Sequence, residues 1–120
     1  MKKFLILFSI LILASCASSK LALVPVGKWS YTITGTPNGT YNGVLKVTFA
    51  DGKYAAVLNS SEGEITMRDV VYDKKIAKLS ANFDFQGSII FFETTTLGET
   101  MTGNVSTGGM NFPFKGTKKN

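Results

Sequence analysis

Side chains able to do chemistry are few in this 120-residue chain, which carries 8 Asp+Glu, 13 Lys+Arg, one Cys and no His. Without His, no Ser-His-Asp or Cys-His arrangement can be assembled, and a Cys/His zinc site or an internal disulfide is excluded by inventory. Carboxylates, Lys, Ser and Tyr remain. The close acid pairs are Glu62 with Glu64 and Asp69 with Asp73. Glu62 and Glu64 flank Gly63 in a turn-like stretch, where nothing desolvates one carboxyl to split the two pKa values as acid-base catalysis needs. No stretch spaces acidic residues as a calcium loop does, and Gly108-Gly109 is not followed by the Lys of a phosphate-binding loop. The sequence predicts no enzyme, no metal site and no cofactor. A carboxylate hydrolase is kept only for the case in which two acids prove buried and close.

The sole thiol, Cys16, sits at the end of a leader rather than in a domain. Residues 1–15 read as a secretion signal: Lys2 and Lys3, then the apolar run Phe4 to Ala14, then small residues. Eleven apolar-rich positions reach only about 16 Å as a helix, roughly half of a bilayer's hydrocarbon core. The segment is too short for a transmembrane span. Leu13-Ala14-Ser15-Cys16 resembles the lipobox of bacterial lipoproteins, in which the cysteine receives a diacylglyceryl thioether and becomes the first residue after cleavage. That resemblance implies lipidation at Cys16, and two or three acyl chains hold a protein on a membrane where one would be marginal. Ala17 stands where such lipoproteins tend to carry Asp as an inner-membrane retention signal, so the resemblance implies the outer membrane if the host is Gram-negative. The side of that membrane stays undetermined.

Removing Lys2 and Lys3 with the leader lowers the formal excess from +5 to +3. No basic run exceeds Lys74-Lys75 or Lys118-Lys119, and the aromatic residues alternate with apolar rather than basic ones. Nucleic acid is therefore not an expected partner. Residues 16–26, ending near Pro25, suit a tether between lipid and domain.

From residue 27 to residue 117 the chain repeats short alternating segments rich in Thr, Val, Ile, Phe and Tyr, broken by Gly-containing turns about every ten residues. This predicts an all-β domain with a short basic tail, 118–120. Two-residue turns fix register, and a one-residue slip would flip a strand's faces. Asp51-Gly52 sets Phe49 opposite Tyr54, Gln86-Gly87 sets Phe83 opposite Ile90, and Gly108-Gly109 sets Val105 opposite Phe112. Leu97-Gly98 sets Thr94 opposite Met101. Longer links place Trp29 opposite Leu45 and Leu58 opposite Ile65. A single inward set then survives throughout, with Trp29, Tyr31, Ile33, Tyr41, Phe49, Tyr54, Val71, Ala77, Leu79, Phe83, Phe92 and Phe114 among it. Only the hairpin around Asp73-Lys74-Lys75 resists, and a bulge between Arg68 and Val70 would keep both nearby charges outside. Eight antiparallel strands in sequential hairpins close most simply as an up-and-down barrel, which also removes aggregation-prone edges. A two-sheet sandwich is the alternative.

Gly27-Lys28-Trp29 at the first strand, ahead of an eight-strand meander with a basic end, resembles the Gly-X-Trp opening of lipocalin-like (calycin) barrels. The chain also looks like small secreted or lipid-anchored bacterial proteins ending in a Gly-rich, Phe-Pro-Phe-containing strand with a basic tail. The lipocalin resemblance implies that Trp29 closes one barrel end and that Lys118 packs across it, with Lys in place of the usual Arg.

Two functions follow from this reading. A lipid-anchored envelope barrel could bind a small apolar ligand or lipid, with Tyr31, Tyr41, Tyr54, Met67, Phe83 and Phe92 as candidate ligand residues and Gly43, Ala56, Ala77, Ala81 and Gly103 leaving room. Alternatively, a filled barrel serves as an adaptor or inhibitor of an envelope protein through exposed Val57, Ile89 and Phe91. An interior void of about 300 Å³ or more separates the first from the second.

Overall fold

The computed structural model describes residues 24–119. The leader, Cys16 with its expected lipid, and the tether up to residue 23 lie outside the described residues. What is described is one antiparallel sheet of nine strands: β1 (Gly27–Thr36), β2 (Gly39–Ala50), β3 (Lys53–Ser60), β4 (Gly63–Thr66), β5 (Arg68–Asp73), β6 (Lys78–Phe85), β7 (Ser88–Leu97), β8 (Thr100–Thr107) and β9 (Met110–Lys119). The order β4-β3-β2-β1-β9-β8-β7-β6-β5 is a meander in which the first and last strands pair, so the sheet rolls up. It is a nearly closed barrel, not a sandwich.

The predicted eight strands become nine because the fourth changes partners midway. β4 pairs with β3, β5 pairs with β6, and Met67 between them donates its N–H to the Ala56 carbonyl at 2.9 Å. The two sheet edges are thus consecutive pieces of one run of chain. The bulge expected at Arg68 to Val70 is present: the register shifts between Arg68 and Val71, and Asp69 takes a left-handed φ of 51°. Arg68 and Asp69 both stay outside, paired with Asp84 and Asn82 respectively at 3.0 Å.

Registers at Asp51-Gly52, Gln86-Gly87 and Gly108-Gly109 match the turn analysis. In all three turns both central residues have positive φ, which suits the right-handed twist of the flanking strands. Two registers differ from expectation. Leu97 pairs with Thr100, so Gly98-Glu99 rather than Leu97-Gly98 forms the turn, and Thr96 lies opposite Met101. Leu97 would need a left-handed backbone in the expected turn, whereas the observed one asks for positive φ only of Gly98, at 60°. In the other, Asp73 pairs with Lys78 across a four-residue link, putting Tyr72 opposite Leu79. Tyr72 and Val70 therefore face the core, and Val71 is exposed. β9 runs on to Lys119, so Lys118 and Lys119 belong to a strand instead of a tail.

The interior holds one cluster that includes Trp29, Leu45, Leu79, Phe83, Phe92, Met101 and Phe114. Thr94 and Thr96 are buried among them, their hydroxyls donating to the Leu79 and Ala77 carbonyls at 3.4 and 3.3 Å. Those local bonds are what make a buried hydroxyl tolerable. Gly43 and Gly103 do not leave room in the interior. A Cβ on either would stand 2.0 Å from a carbonyl oxygen of the neighbouring strand, Asn59 or Glu93, so each glycine marks a close backbone approach where the sheet coils.

Two substitutions test this packing by denaturant unfolding. Trp29→Ala is expected to lose about 3 to 5 kcal/mol; a loss below about 1 kcal/mol would place the indole outside the core. Gly103→Ala is expected to cost about 1 to 3 kcal/mol through overpacking against backbone, and a neutral result would contradict the close approach.

Candidate functional site

The two ends of the barrel differ, and the difference follows from which side chains the registers deliver to each. One end receives the chain at Val24 to Val26, the β2–β3, β5–β6 and β7–β8 connections and the C-terminal strand end. It is plugged. Trp29 is fully buried and donates its indole N–H to the Pro25 carbonyl at 3.0 Å. Lys118, directly opposite on β9, lays its ammonium 5.1 Å from the indole centroid and donates to the Val26 carbonyl at 2.8 Å. A cation over an indole face is favourable, more so when partly desolvated. Gly27 makes this crossing possible, because a Cβ there would meet the Lys118 stem at 2.8 Å. The structure thus brings together the two residues expected to close an end. Beside them Tyr54 packs on Phe49 and Tyr72, with centroids 4.6 and 5.7 Å apart.

The other end collects the β1–β2, β3–β4, β6–β7 and β8–β9 connections, and a cavity of about 320 Å³ opens between them. Its apolar wall comes from Ile33, Leu58, Ile65, Phe83, Phe85, Ile90, Val105 and Phe112. Tyr31 and Tyr41 add phenols, while Asn38, Ser60, Glu62 and Gln86 stand at the rim. Behind the cavity Tyr31 stacks on Phe114 at 5.5 Å and Phe92 meets Phe114 edge-on at 5.0 Å, filling the interior with aromatic rings. Tyr41 packs edge-on against Phe85, and its hydroxyl accepts a hydrogen bond from the Asn38 amide at 3.2 Å.

Of the six candidate ligand residues, Tyr31, Tyr41 and Phe83 line the cavity. Tyr54, Met67 and Phe92 do not. Tyr54 belongs to the plugged end, Met67 is buried at the seam between β4 and β5, and Phe92 is held in the ring stack. Alternation along a strand assigns a side chain to the inside or outside, but not to a height along the barrel axis. The missed wall residues Ile33, Phe85, Ile90 and Phe112 could have been found by counting positions back from the four turns that share this end.

Tyr31 is the buried polar group of the wall. Its hydroxyl hydrogen-bonds the Ser60 side chain, whose Oγ also accepts the Glu62 N–H at 3.2 Å. Burial raises the Tyr31 pKa above 10.0, outweighing the Ser60 hydrogen bond that lowers it, and the Glu62 carboxylate adds to the rise. The phenol is therefore neutral at any ordinary pH and can offer a proton to an acceptor. The acid pairs do other work: Asp69 accepts from Asn82, and Asp73 accepts the Lys75 N–H at 3.0 Å. Among the described residues no three of His, Cys, Asp and Glu converge as a metal site would require.

Fold and cavity together define a small antiparallel β-barrel, stoppered at one end and open at the other. The fold is similar to that of a redesigned β-barrel, mFAP1, solved bound to DFHBI: TM-score 0.53, 20% identity, covering 82% of this chain and 97% of that one. At that identity the likeness speaks for fold alone. No family model matches the sequence, and no curated protein does.

Tyr31 generates a pH test with a definite sign. A folded-state pKa above the unfolded 10.0 means that the protonated phenol's contribution is fully present below pH 10 and is lost as pH rises through the folded value. Urea unfolding between pH 8 and 11 is expected to show wild-type stability falling more steeply above pH 10 than that of Tyr31→Phe. Parallel curves would mean that the phenol is not desolvated.

Proposed function

We propose that this chain is a non-catalytic, lipid-anchored cell-envelope protein that binds a small apolar molecule, or part of a lipid, in the open end of its barrel. The observation that carries the reading is the cavity of about 320 Å³ with its mainly apolar wall and few polar groups. That volume falls at the lower edge of the range for ligand pockets, about 300 to 1,000 Å³. It favours a ligand over the filled-barrel adaptor, although exposed Ile89 and Phe91 keep a partner surface available. The structurally similar redesigned barrel holds a small molecule, DFHBI, which supports the capacity of such a barrel and says nothing of the ligand here. Trp29 under Lys118 fits the lipocalin-like resemblance. Leu13-Ala14-Ser15-Cys16 supports attachment through Cys16, on the outer membrane in a Gram-negative host.

Native mass spectrometry and lipid extraction of protein purified from its host are expected to reveal a co-purifying apolar molecule. Emptied protein is expected to take up the uncharged fluorophore N-phenyl-1-naphthylamine saturably, and Ile90→Trp to reduce that uptake at least tenfold while unfolding cooperatively. A bare mass together with no saturable uptake would overturn the ligand reading. For the anchor, labelled palmitate is expected to enter the wild-type protein and not Cys16→Ser, with the variant lost from the membrane fraction; equal labelling of both would overturn lipidation at Cys16.

A further inference from the structure

Charge on the barrel is distributed unevenly along its axis. No lysine borders the cavity, whose rim carries Glu62, and Asp84 lies next to the β6–β7 turn at that end. The described lysines lie toward the plugged end or, for Lys115, at mid-height. Within this distribution one arrangement is unfavourable for the fold itself. Lys28 stands directly opposite Lys46 on β2 and directly opposite Lys119 on β9. All three are exposed on the outer face. Neighbouring strands are about 4.8 Å apart, so three ammonium-bearing side chains ride abreast, and like charges directly opposed destabilise an antiparallel pair.

No carboxylate among the described residues is ion-paired to this row. The ion pairs found there are Arg68 with Asp84 and Lys78 with Glu93. Glu64 borders the same shallow groove as the three lysines but is not ion-paired to them, and Val44 and Val57 form its apolar side. A row of like charges with no ion-paired carboxylate raises a positive potential that attracts an external anion.

We propose that Lys119, Lys28 and Lys46 form a docking strip for anionic lipid headgroups, which seats the plugged end of the barrel on the membrane. The proposal rests on the reading of Cys16 as a membrane anchor, and position argues for the membrane as occupant. The chain leading back to Cys16 enters at Val24 to Val26, immediately before Lys28. Eight residue steps separate Cys16 from Val24, a reach of at most about 28 Å when fully extended. An anchored barrel is therefore confined within that distance of the bilayer, with its basic end nearest. Confinement makes headgroup contact an intramolecular event, so modest attraction suffices. Basic side chains near an anionic bilayer each contribute about fivefold in binding, the equivalent of about 1 kcal/mol.

The test uses the full chain carrying Cys16→Ser, cosedimented with vesicles of phosphatidylcholine alone or mixed with phosphatidylglycerol. Any hydrophobic contribution of the leader is common to both vesicles, so the ratio of the two affinities isolates charge. The expected result is a preference for the anionic vesicles that falls about 100-fold in Lys28→Gln/Lys46→Gln/Lys119→Gln. Removing the same charge off the row at the same end, in Lys53→Gln/Lys74→Gln/Lys75→Gln, is expected to lower it much less. Lys28→Gln alone is also expected to raise Tm, since it relieves the repulsion; an unchanged or lower Tm would overturn the premise that the row is repulsive. No preference for anionic vesicles, or an equal loss in both triple variants, would overturn the strip. Its abolition by millimolar inorganic phosphate at constant ionic strength would also overturn it, marking a soluble-anion site instead. Failure of palmitate labelling at Cys16 would leave the vesicle preference intact, which separates the two readings.

Discussion

Closure of this barrel depends on one run of chain holding two partners. Residues 63–66 complete a ladder with β3, residues 68–73 start another with β6, and the Met67 N–H on the Ala56 carbonyl joins them. The chain-entropy cost of closure falls on the pairing of β1 with β9, the two ends of the described chain. The β4 and β5 edges are adjacent in sequence, so once β1 and β9 pair no second distant edge has to be found. The left-handed Asp69 and the register shift beside it are the local cost of turning the strand from one partner to the next.

Closure creates an interior, and the registers decide how it is filled. At the plugged end they superpose Trp29 and Lys118 across β1 and β9, and the lysine's ammonium finds both a ring face and the Val26 carbonyl. Few other side chains could cap an indole, satisfy a carbonyl and still belong to a strand. At the open end the inward positions beside the turns hold Phe85, Phe112 and Tyr41, and although Tyr41 and Phe85 meet edge-on, the rings leave a cavity between the turns. One end is therefore solid and the other hollow, although both are built from the same alternation of apolar and polar residues.

That alternation is what made the fold legible. Three turns with a glycine in the second central position locked register, and every buried apolar residue from Trp29 to Phe114 fell on the inward side. The two misread connections share a cause, the backbone demands of a turn. Leu97 resists the left-handed conformation that one turn would have asked of it, and the link after Asp73 instead places Ala77 there, at a φ of 54°. Tyr54 and Phe92 were misassigned for a different reason: facing inward is a property of parity, whereas reaching the cavity depends on distance from the open end. Cys16 carries its meaning in sequence context alone.

The separation of charge from cavity bears on how a ligand would arrive. A carrier that drew an apolar molecule directly from its own bilayer would need the hollow end against the membrane, with basic groups around that mouth. The arrangement here is the reverse: the lysines gather at the solid end where the chain arrives from Cys16, and the rim of the hollow end carries the Glu62 carboxylate. Seated on its lysines, the barrel would present its opening to the aqueous side, about 25 Å above the surface, the rise of a ten-residue strand tilted as barrel strands are. Such a geometry suits capture of a molecule already in the aqueous compartment, or exchange with a second carrier. The neutral Tyr31 phenol and the single carboxylate at the rim favour a ligand whose polar end accepts a hydrogen bond and bears no negative charge.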